Sequence, residues 1–129
     1  MMTAEHLVVT AAVIEEDDRF LLTRRPRGTH LEGFWEFPGG KCEPEETLEA
    51  CLIREIEEEL GCRAAVRQEL LSVAHDYSDR TVRLHFFRCD LAGEPQALLG
   101  QEIKWVSSRE LRTLNFPPAD EALIQLLAG

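Results

Sequence analysis

A chain of 129 residues, 44% of them hydrophobic, is long enough to enclose one core and too apolar for a disordered protein. Its formal net charge of −10 disfavours binding to nucleic acid polymers and anionic membranes, and an anionic substrate would need a divalent cation as mediator. No apolar run can cross a bilayer and the N-terminus lacks a signal-peptide pattern, so we expect a cytoplasmic protein with a single domain over residues 1–129.

The N-terminal third predicts a β-hairpin followed by a long loop. The stretch LVVTAAVIEEDDRFLLTRR holds two apolar runs separated by residues 15–18, which is typical of two antiparallel strands. Residues 26–45 are rich in glycine and proline and predict a loop, interrupted by one short extended segment at residues 35–37. Loops of this length inside a compact domain are usually functional.

A helix follows the loop, and its apolar positions define one face. In EETLEACLIREIEEELG, apolar side chains recur at about 100° per residue, and Gly61 is suited to end the helix. Residues 63–75 and 80–91 then predict two long strands joined at DYSD, and QEIKWVS predicts another strand. Ser107 and Glu110 form a capping box for a short helix, and EALIQLL predicts a closing helix. This order predicts a mixed α/β or α+β domain.

The four cysteines give no sign of a metal site or of a disulfide framework. None of them forms a C-x-x-C pair, and no histidine partner for a catalytic thiol is evident. We therefore expect reduced thiols that pack as small apolar side chains at Cys42, Cys51, Cys62 and Cys89.

Three glutamates of the predicted helix, called here the arc glutamates, fall at i, i+3 and i+4. Glu55, Glu58 and Glu59 share an arc about 100° wide that borders the apolar face, whereas Glu57 points away from it. Like charges at this spacing repel one another unless a hard cation with oxygen ligands, such as Mg²⁺ or Mn²⁺, joins them. Arg54 is placed to pair with a nearby carboxylate. The spacing alone leaves two interpretations open, a metal site and a solvated helix face.

The residues before and within this helix resemble the sequence box of the Nudix hydrolases. The box fixes two glycines, a glutamate, an Arg-Glu pair, an aliphatic residue and a Glu-Glu pair, which here are Gly40, Gly61, Glu46, Arg54, Glu55, Ile56, Glu58 and Glu59. Cys62 departs from the aliphatic residue that closes the box. The segments LLTRRP, FWEFPGGK and FPPADE extend the resemblance to the MutT branch, the 8-oxo-dGTP diphosphatases, over residues 7–128.

The resemblance implies an α+β fold in which a mixed β-sheet is sandwiched between helices and the box forms a loop-helix-loop. It also implies a Mg²⁺-dependent hydrolase, with Mn²⁺ as a substitute, that converts a nucleoside triphosphate and water into a monophosphate and diphosphate. The arc glutamates are the implied metal ligands, one of them also the general base, and a backbone carbonyl at Gly39 or Gly40 is a further ligand. Glu46 and Arg54 are expected to hold the helix and its loop together, and Arg54 is counted with the arc glutamates among the catalytic residues.

The resemblance also implies residues that bind the nucleotide, and each has a structural alternative. Arg25, at the end of the second strand, is expected to contact phosphate or sugar, with a surface salt bridge as the alternative. Arg80, Tyr77 and Trp35 are candidates for contact with the base, although aromatic side chains more often lie in the core.

Asp120 occupies the position at which MutT sequences carry a base-reading asparagine. An ionised Asp only accepts hydrogen bonds, which suits the amine of cytosine or the N–H groups of guanine, whereas a protonated Asp can imitate Asn toward 8-oxoguanine. A helix N-cap is the alternative role for this residue. The resemblance makes 8-oxo-dGTP diphosphatase, an enzyme that cleans the nucleotide pool, the leading function, with (d)CTP diphosphatase and a broad-specificity Nudix hydrolase as alternatives. A non-catalytic lesion-recognition module fits poorly because the carboxylate box is complete.

One departure from the branch concerns the metal site. Leu99 stands where the branch often carries another metal-binding glutamate, and Glu94 and Glu102 are the nearby candidates to replace it. The alternative is that both are ordinary surface residues. The number of metal ions and the choice between a monomer and a homodimer stay open at this stage.

Overall fold

Seven strands and three α-helices make up the part of the chain that the structure describes, residues 5–29 and 32–129 of a computed structural model. The strands are β1 (Glu5–Glu16), β2 (Arg19–Arg24), β3 (Trp35–Glu36), β4 (Gly39–Lys41), β5 (Arg63–Asp76), β6 (Arg80–Ala92) and β7 (Glu102–Ser107). The helices are α1 (Leu48–Leu60), α2 (Ser108–Leu111) and α3 (Glu121–Ala128), and a 3₁₀ turn at Pro118–Asp120 precedes α3.

β1 lies at the centre of a mixed sheet. It pairs antiparallel with β2 and β4 and parallel with β6, while β7 joins β2 and β5 joins β6. The turn between β1 and β2 has Asp17 and Asp18 at φ values of 51° and 62°, a two-residue hairpin geometry whose twist matches the flanking strands. The predicted hairpin and the two predicted long strands are therefore confirmed.

Helices cover both faces of the sheet. On one face, α1 packs against β1 and β2 in a buried cluster that includes Ile14, Leu21, Leu52, Ile56 and Leu60. On the other face, α2 and α3 contribute to a second buried cluster with Val13, Leu22, Leu111 and Leu123. Successive residues of β1 alternate between these clusters because strand side chains point to opposite faces. The sheet sandwiched between helices is thus confirmed, and no helix of the described ranges has the length and hydropathy to cross a membrane.

The ends of α1 follow from its terminal residues. Thr47 caps the N-terminus, since its hydroxyl accepts a hydrogen bond from the Ala50 N–H at 3.1 Å. Gly61 ends the helix at φ 69°, where a side chain would be strained, and its N–H donates to the Glu57 carbonyl at 3.0 Å. The predicted helix and its glycine cap are therefore confirmed.

Two features before and within α1 correct the prediction. Inside the segment predicted as a loop, β4 pairs with β1. That pairing places Cys42 against α1, where its Cα lies 5.2 Å from that of Cys51 and the two form a disulfide. The prediction of reduced thiols was wrong for this pair, because their contact depends on long-range strand pairing and their spacing carries no motif. Cys62 and Cys89 are free and buried, as predicted.

Candidate active site

Two glycines at β4 let the helix carboxyls approach the backbone of the sheet. Glu59 Oε2 accepts a hydrogen bond from the Gly39 N–H at 3.3 Å. A Cβ at Gly39 would overlap the backbone of Thr10, and a Cβ at Gly40 would overlap the carboxyl group of Glu55. The structure therefore brings Glu55 and Glu59 together at the same short strand, where a side chain at Gly39 would meet backbone and one at Gly40 would displace the Glu55 carboxyl.

Arg54 holds the helix and the preceding loop together. Its Nε and Nη2 donate to the two oxygens of Glu46 at 2.7 and 2.8 Å, and Nη2 also donates to the Lys41 carbonyl at 3.2 Å. Its Nη1 donates to Glu55 at 2.9 Å and to Glu58 at 3.3 Å. The bidentate pair holds the pKa of Glu46 down at about 2, and the same pair raises the pKa of Arg54. One guanidinium thus fixes carboxylates of the loop and of the helix relative to each other.

The electrostatics of the arc glutamates favour a bound cation. Burial raises the pKa of Glu59 to about 8, and the charges of Glu36, Glu55 and Glu58 add to the increase. Burial also raises the pKa of Glu55, against the opposing effect of Arg54. The negative charges of these carboxylates therefore repel one another, and a divalent cation would relieve that repulsion.

The donor set suits an ion that keeps part of its solvent shell. Among residues 5–29 and 32–129, no three side chains of His, Cys, Asp or Glu converge closely enough to enclose a metal. The Glu58 side chain is 57% exposed and pairs with Arg54, while Glu55 and Glu59 lie deeper at β4. Mg²⁺ is usually bound by one or two carboxylates and completed by water and substrate phosphates, so these residues fit that ion.

A cavity of about 370 Å³ extends from Glu59 to Asp120. Its size lies in the usual range for small-molecule sites. Charged groups and apolar side chains both line it; besides Glu59 and Asp120, the wall includes Gly39, Gly40, Arg25, Glu36, Tyr77, Phe37, Leu84, Phe86 and Pro117. The structure therefore joins Glu59 and Asp120, which are about sixty positions apart in the sequence, in one cavity, and Glu55 and Glu58 are not among its lining residues.

Asp120 faces this cavity in a buried setting. It is 5% exposed and stands at the N-cap position of α3, yet its side chain makes no capping hydrogen bond with the described residues. Burial raises the pKa of Asp120 to about 7, and the nearby charge of Glu36 adds to the increase. At neutral pH this carboxyl can therefore donate a hydrogen bond as well as accept one.

Glu36 is a cavity residue that the sequence reasoning missed. It lies on β3 and accepts a hydrogen bond from Arg25 Nη1 at 3.0 Å, and burial raises its pKa against the effect of Arg25. The alternation of the strand could have identified Glu36, because neighbours on a strand point to opposite faces. Trp35, the residue chosen from sequence, accordingly lies in the core at 7% exposure, with the Arg24 guanidinium 5.6 Å from its ring.

The other nucleotide-binding candidates divide between the cavity and its surroundings. Arg25 and Tyr77 line the cavity, so both stay candidates for contact with a nucleotide. Arg80 lies behind Tyr77, with its guanidinium 5.7 Å from the centre of the Tyr77 ring. Arg80 therefore supports an aromatic wall and is not itself among the cavity residues.

The candidates for an extra metal ligand lie outside the cavity. Leu99 is exposed, and Glu102 on β7 forms a salt bridge with Arg24 at 3.4 Å. Glu94 lies in a separate cleft near Asp17. The structure therefore does not place Glu94 or Glu102 beside Glu59, in keeping with the interpretation of both as surface residues.

Comparison with known proteins gives consistent matches over nearly the whole chain. The NUDIX domain family matches residues 9–126. The CTP pyrophosphohydrolase of Escherichia coli K12 is 39% identical over 118 residues, which cover 91% of this chain and 87% of that protein. The 8-oxo-dGTP diphosphatase of the same strain is 32% identical over 121 residues, 93% of this chain and 94% of that protein. The solution structure of the E. coli ORF135 protein superposes with a TM-score of 0.83 at 38% identity, covering 96% of this chain and 87% of that one.

Proposed function

We propose a function from one premise: the chain belongs to the NUDIX domain family and is a hydrolase of phosphorus-containing anhydrides. Nudix hydrolases act on small nucleotide substrates and generally require a divalent metal ion. We propose that this chain, as one domain, hydrolyses a nucleoside triphosphate to a monophosphate and diphosphate with Mg²⁺, and that 8-oxo-dGTP is its preferred substrate.

The observation that carries the proposal is the cavity with two chemically distinct ends. Glu59, with Glu55 beside it at the β4 glycines, marks the end that we assign to the phosphates, and the buried Asp120 marks the end that we assign to the base. A triphosphate needs cations at its charged end, while a base needs hydrogen-bonding groups in a dry environment. The two ends of the cavity supply these two environments.

The arc glutamates would hold the ion at the phosphate end, together with water and phosphate oxygens. When bound, Mg²⁺ supplies positive charge that neutralises phosphate oxygens and lowers the barrier to attack by water. The Gly39 N–H orients the Glu59 carboxyl, and Arg54 holds Glu55 and Glu58 in place. One arc glutamate accepts the proton of the attacking water. Arg25, held by Glu36, faces the nucleotide and contacts its phosphate or sugar.

The base is read at the other end of the cavity. A protonated Asp120 donates one hydrogen bond and accepts another, which matches the O6 acceptor and the N7–H donor of 8-oxoguanine. The pKa of about 7 makes this protonated form available at neutral pH. Tyr77 offers a ring face beside the base, and apolar side chains such as Phe37 exclude water around it.

A (d)CTP diphosphatase is the second candidate, and the same residue supports it. If Asp120 ionises in the complex, it accepts a hydrogen bond from the amine of cytosine. The similarity to the CTP pyrophosphohydrolase adds to this case.

One substrate panel tests the proposal. Hydrolysis with Mg²⁺ would be measured as pyrophosphate release for 8-oxo-dGTP, dGTP, dCTP and CTP, and as AMP formation for ADP-ribose. We expect the highest kcat/KM for 8-oxo-dGTP, at least about tenfold above dGTP, because dGTP lacks the N7–H donor and leaves a buried acceptor unpaired. A higher kcat/KM for dCTP would favour the second candidate. Release of orthophosphate in place of pyrophosphate would contradict the assigned reaction.

A further inference from the structure

The C-terminal end of α1 is capped by a distant loop. The last carbonyls of a helix have no partner within the helix, so they need donors from elsewhere. The Glu59 carbonyl accepts from the Leu98 N–H at 3.2 Å and from Gln101 Nε2 at 3.0 Å, and the Leu60 carbonyl accepts from the Gln96 N–H at 2.9 Å. The turn of α1 that carries Glu59 is therefore held by residues that lie far along the sequence.

Gln101 is the buried polar side chain in this contact. It is 8% exposed, and its Oε1 accepts from the Leu99 N–H at 2.9 Å while its Nε2 donates to Glu59. Both ends of the amide are thus paired, as burial of a polar group requires. The next residue begins β7, which pairs with β2 at Arg24. Gln101 therefore connects the end of the catalytic helix to the sheet.

We propose that Gln101 is a positioning residue for Glu59, an inference that rests on the proposed role of Glu59 as a metal ligand. The Gln101 amide fixes the Glu59 backbone, and the Gly39 N–H fixes its carboxyl. Together they set the position of the carboxyl before an ion arrives. Without the Gln101 amide, the Glu59 carbonyl loses one of its two donors and keeps the Leu98 N–H. The last turn of α1 can then shift, which weakens metal binding.

The test compares two glutamines of the same loop. Gln101→Leu removes both hydrogen bonds at similar size, and Gln101→Glu keeps the acceptor for the Leu99 N–H but sets a carboxylate oxygen against the Glu59 carbonyl in place of the donor. Gln96→Ala is the matched control, because Gln96 is exposed and contacts α1 through a backbone N–H that alanine keeps. The primary measurement is calorimetric titration of Mg²⁺ into each protein without nucleotide. Melting temperatures and the Mg²⁺ concentration for half-maximal activity are measured alongside.

We expect both Gln101 variants to bind Mg²⁺ at least about tenfold more weakly, the usual size of effect for residues that orient metal ligands, and Gln96→Ala to bind as wild type does. Unchanged KM for the nucleotide at saturating Mg²⁺ would accompany this loss. If the Gln101 variants melt lower but bind Mg²⁺ as tightly as wild type, Gln101 is purely structural and the inference fails. Glu59→Gln distinguishes the two proposals. If Glu59→Gln loses Mg²⁺ binding and the Gln101 variants keep it, the role of Gln101 is refuted and the metal site stands. If Glu59→Gln binds Mg²⁺ as tightly as wild type, the metal site and the role of Gln101 are both refuted.

Discussion

The two ends of the cavity contain similar groups but arise from the sequence in different ways. The phosphate end comes from one continuous stretch, residues 39–61, in which β4 and α1 face each other. The base end comes from separate segments, with Tyr77 in the turn after β5 and Asp120 before α3, while Glu36 on β3 acts on the carboxyls of both ends. A helical period can place the first set of residues, whereas only the assembled sheet places the second.

Each end holds a carboxyl with a raised pKa, partly buried Glu59 at one and buried Asp120 at the other, and the surroundings of the two differ. Glu59 is surrounded by other carboxylates, so a cation is the natural partner. Asp120 lies among apolar side chains, with Glu36 as the charge that acts on it, so a proton is its natural partner. The comparison predicts that the phosphate end controls rate and metal dependence and that the base end controls selectivity.

The largest expected effect is at the phosphate end. Glu59→Gln removes a ligand charge and should lower kcat by about 10²- to 10⁴-fold, the range seen when a catalytic charge is lost. Glu57→Gln is the matched control, because Glu57 is exposed on another side of the same turn, and its activity should stay within about threefold of wild type. Steady-state kinetics and melting temperatures of both variants provide the test. Equal losses in the two variants would show that the assigned helical phase is wrong.

Removal of Mg²⁺ from the phosphate end should lower the stability of the folded protein. An ion that binds only the folded state stabilises it by about 2.7 kcal/mol at a hundredfold excess over its Kd. Mg²⁺ should therefore raise the melting temperature, and EDTA should reverse the change. In Glu59→Gln the increase should shrink. A wild-type melting curve that is indifferent to millimolar Mg²⁺ would count against the proposed site.

A smaller effect, on stability as a function of pH, is expected at the base end. The pKa of Asp120 is about 7 in the folded state against an ordinary 3.8, so the folded protein retains a proton that the unfolded chain releases. The associated stability is present below about pH 4 and is lost as the pH rises through about 7. Asp120→Asn cannot ionise and should therefore gain stability relative to wild type as the pH rises from 4 to 8, by about 4 kcal/mol if the full shift is realised.

Denaturant unfolding in EDTA at several pH values measures this difference. EDTA keeps the metal ligands from contributing through trace metal. A constant difference between Asp120→Asn and wild type across this range would mean that Asp120 does not hold a proton in the folded protein.

The sequence predicted the residues that share one local element and missed those that depend on pairing. The spacing of Glu55 and Glu59 places both on one arc of a helix, and the structure brings both to β4. The Cys42–Cys51 disulfide had no local signal, because it depends on the pairing of β4 with β1. For Glu36 the strand alternation was a signal, but its use depends on the pairing of β3 with β2. Asp120 came from a family resemblance, and its burial follows from packing that no short motif encodes.

The central claim is that the two ends act separately, and one measurement tests it directly. The quantity is the ratio of kcat/KM for the preferred triphosphate to kcat/KM for a poorer one, in wild type, Glu59→Gln and Asp120→Ala. Glu59→Gln should lower both values and leave the ratio unchanged. Asp120→Ala should lower the preferred value by roughly 5- to 150-fold, equivalent to about 1–3 kcal/mol for an unpaired buried group, and so collapse the ratio. An Asp120→Ala variant that loses the same factor on both substrates, or a Glu59→Gln variant that changes the ratio, would contradict the account.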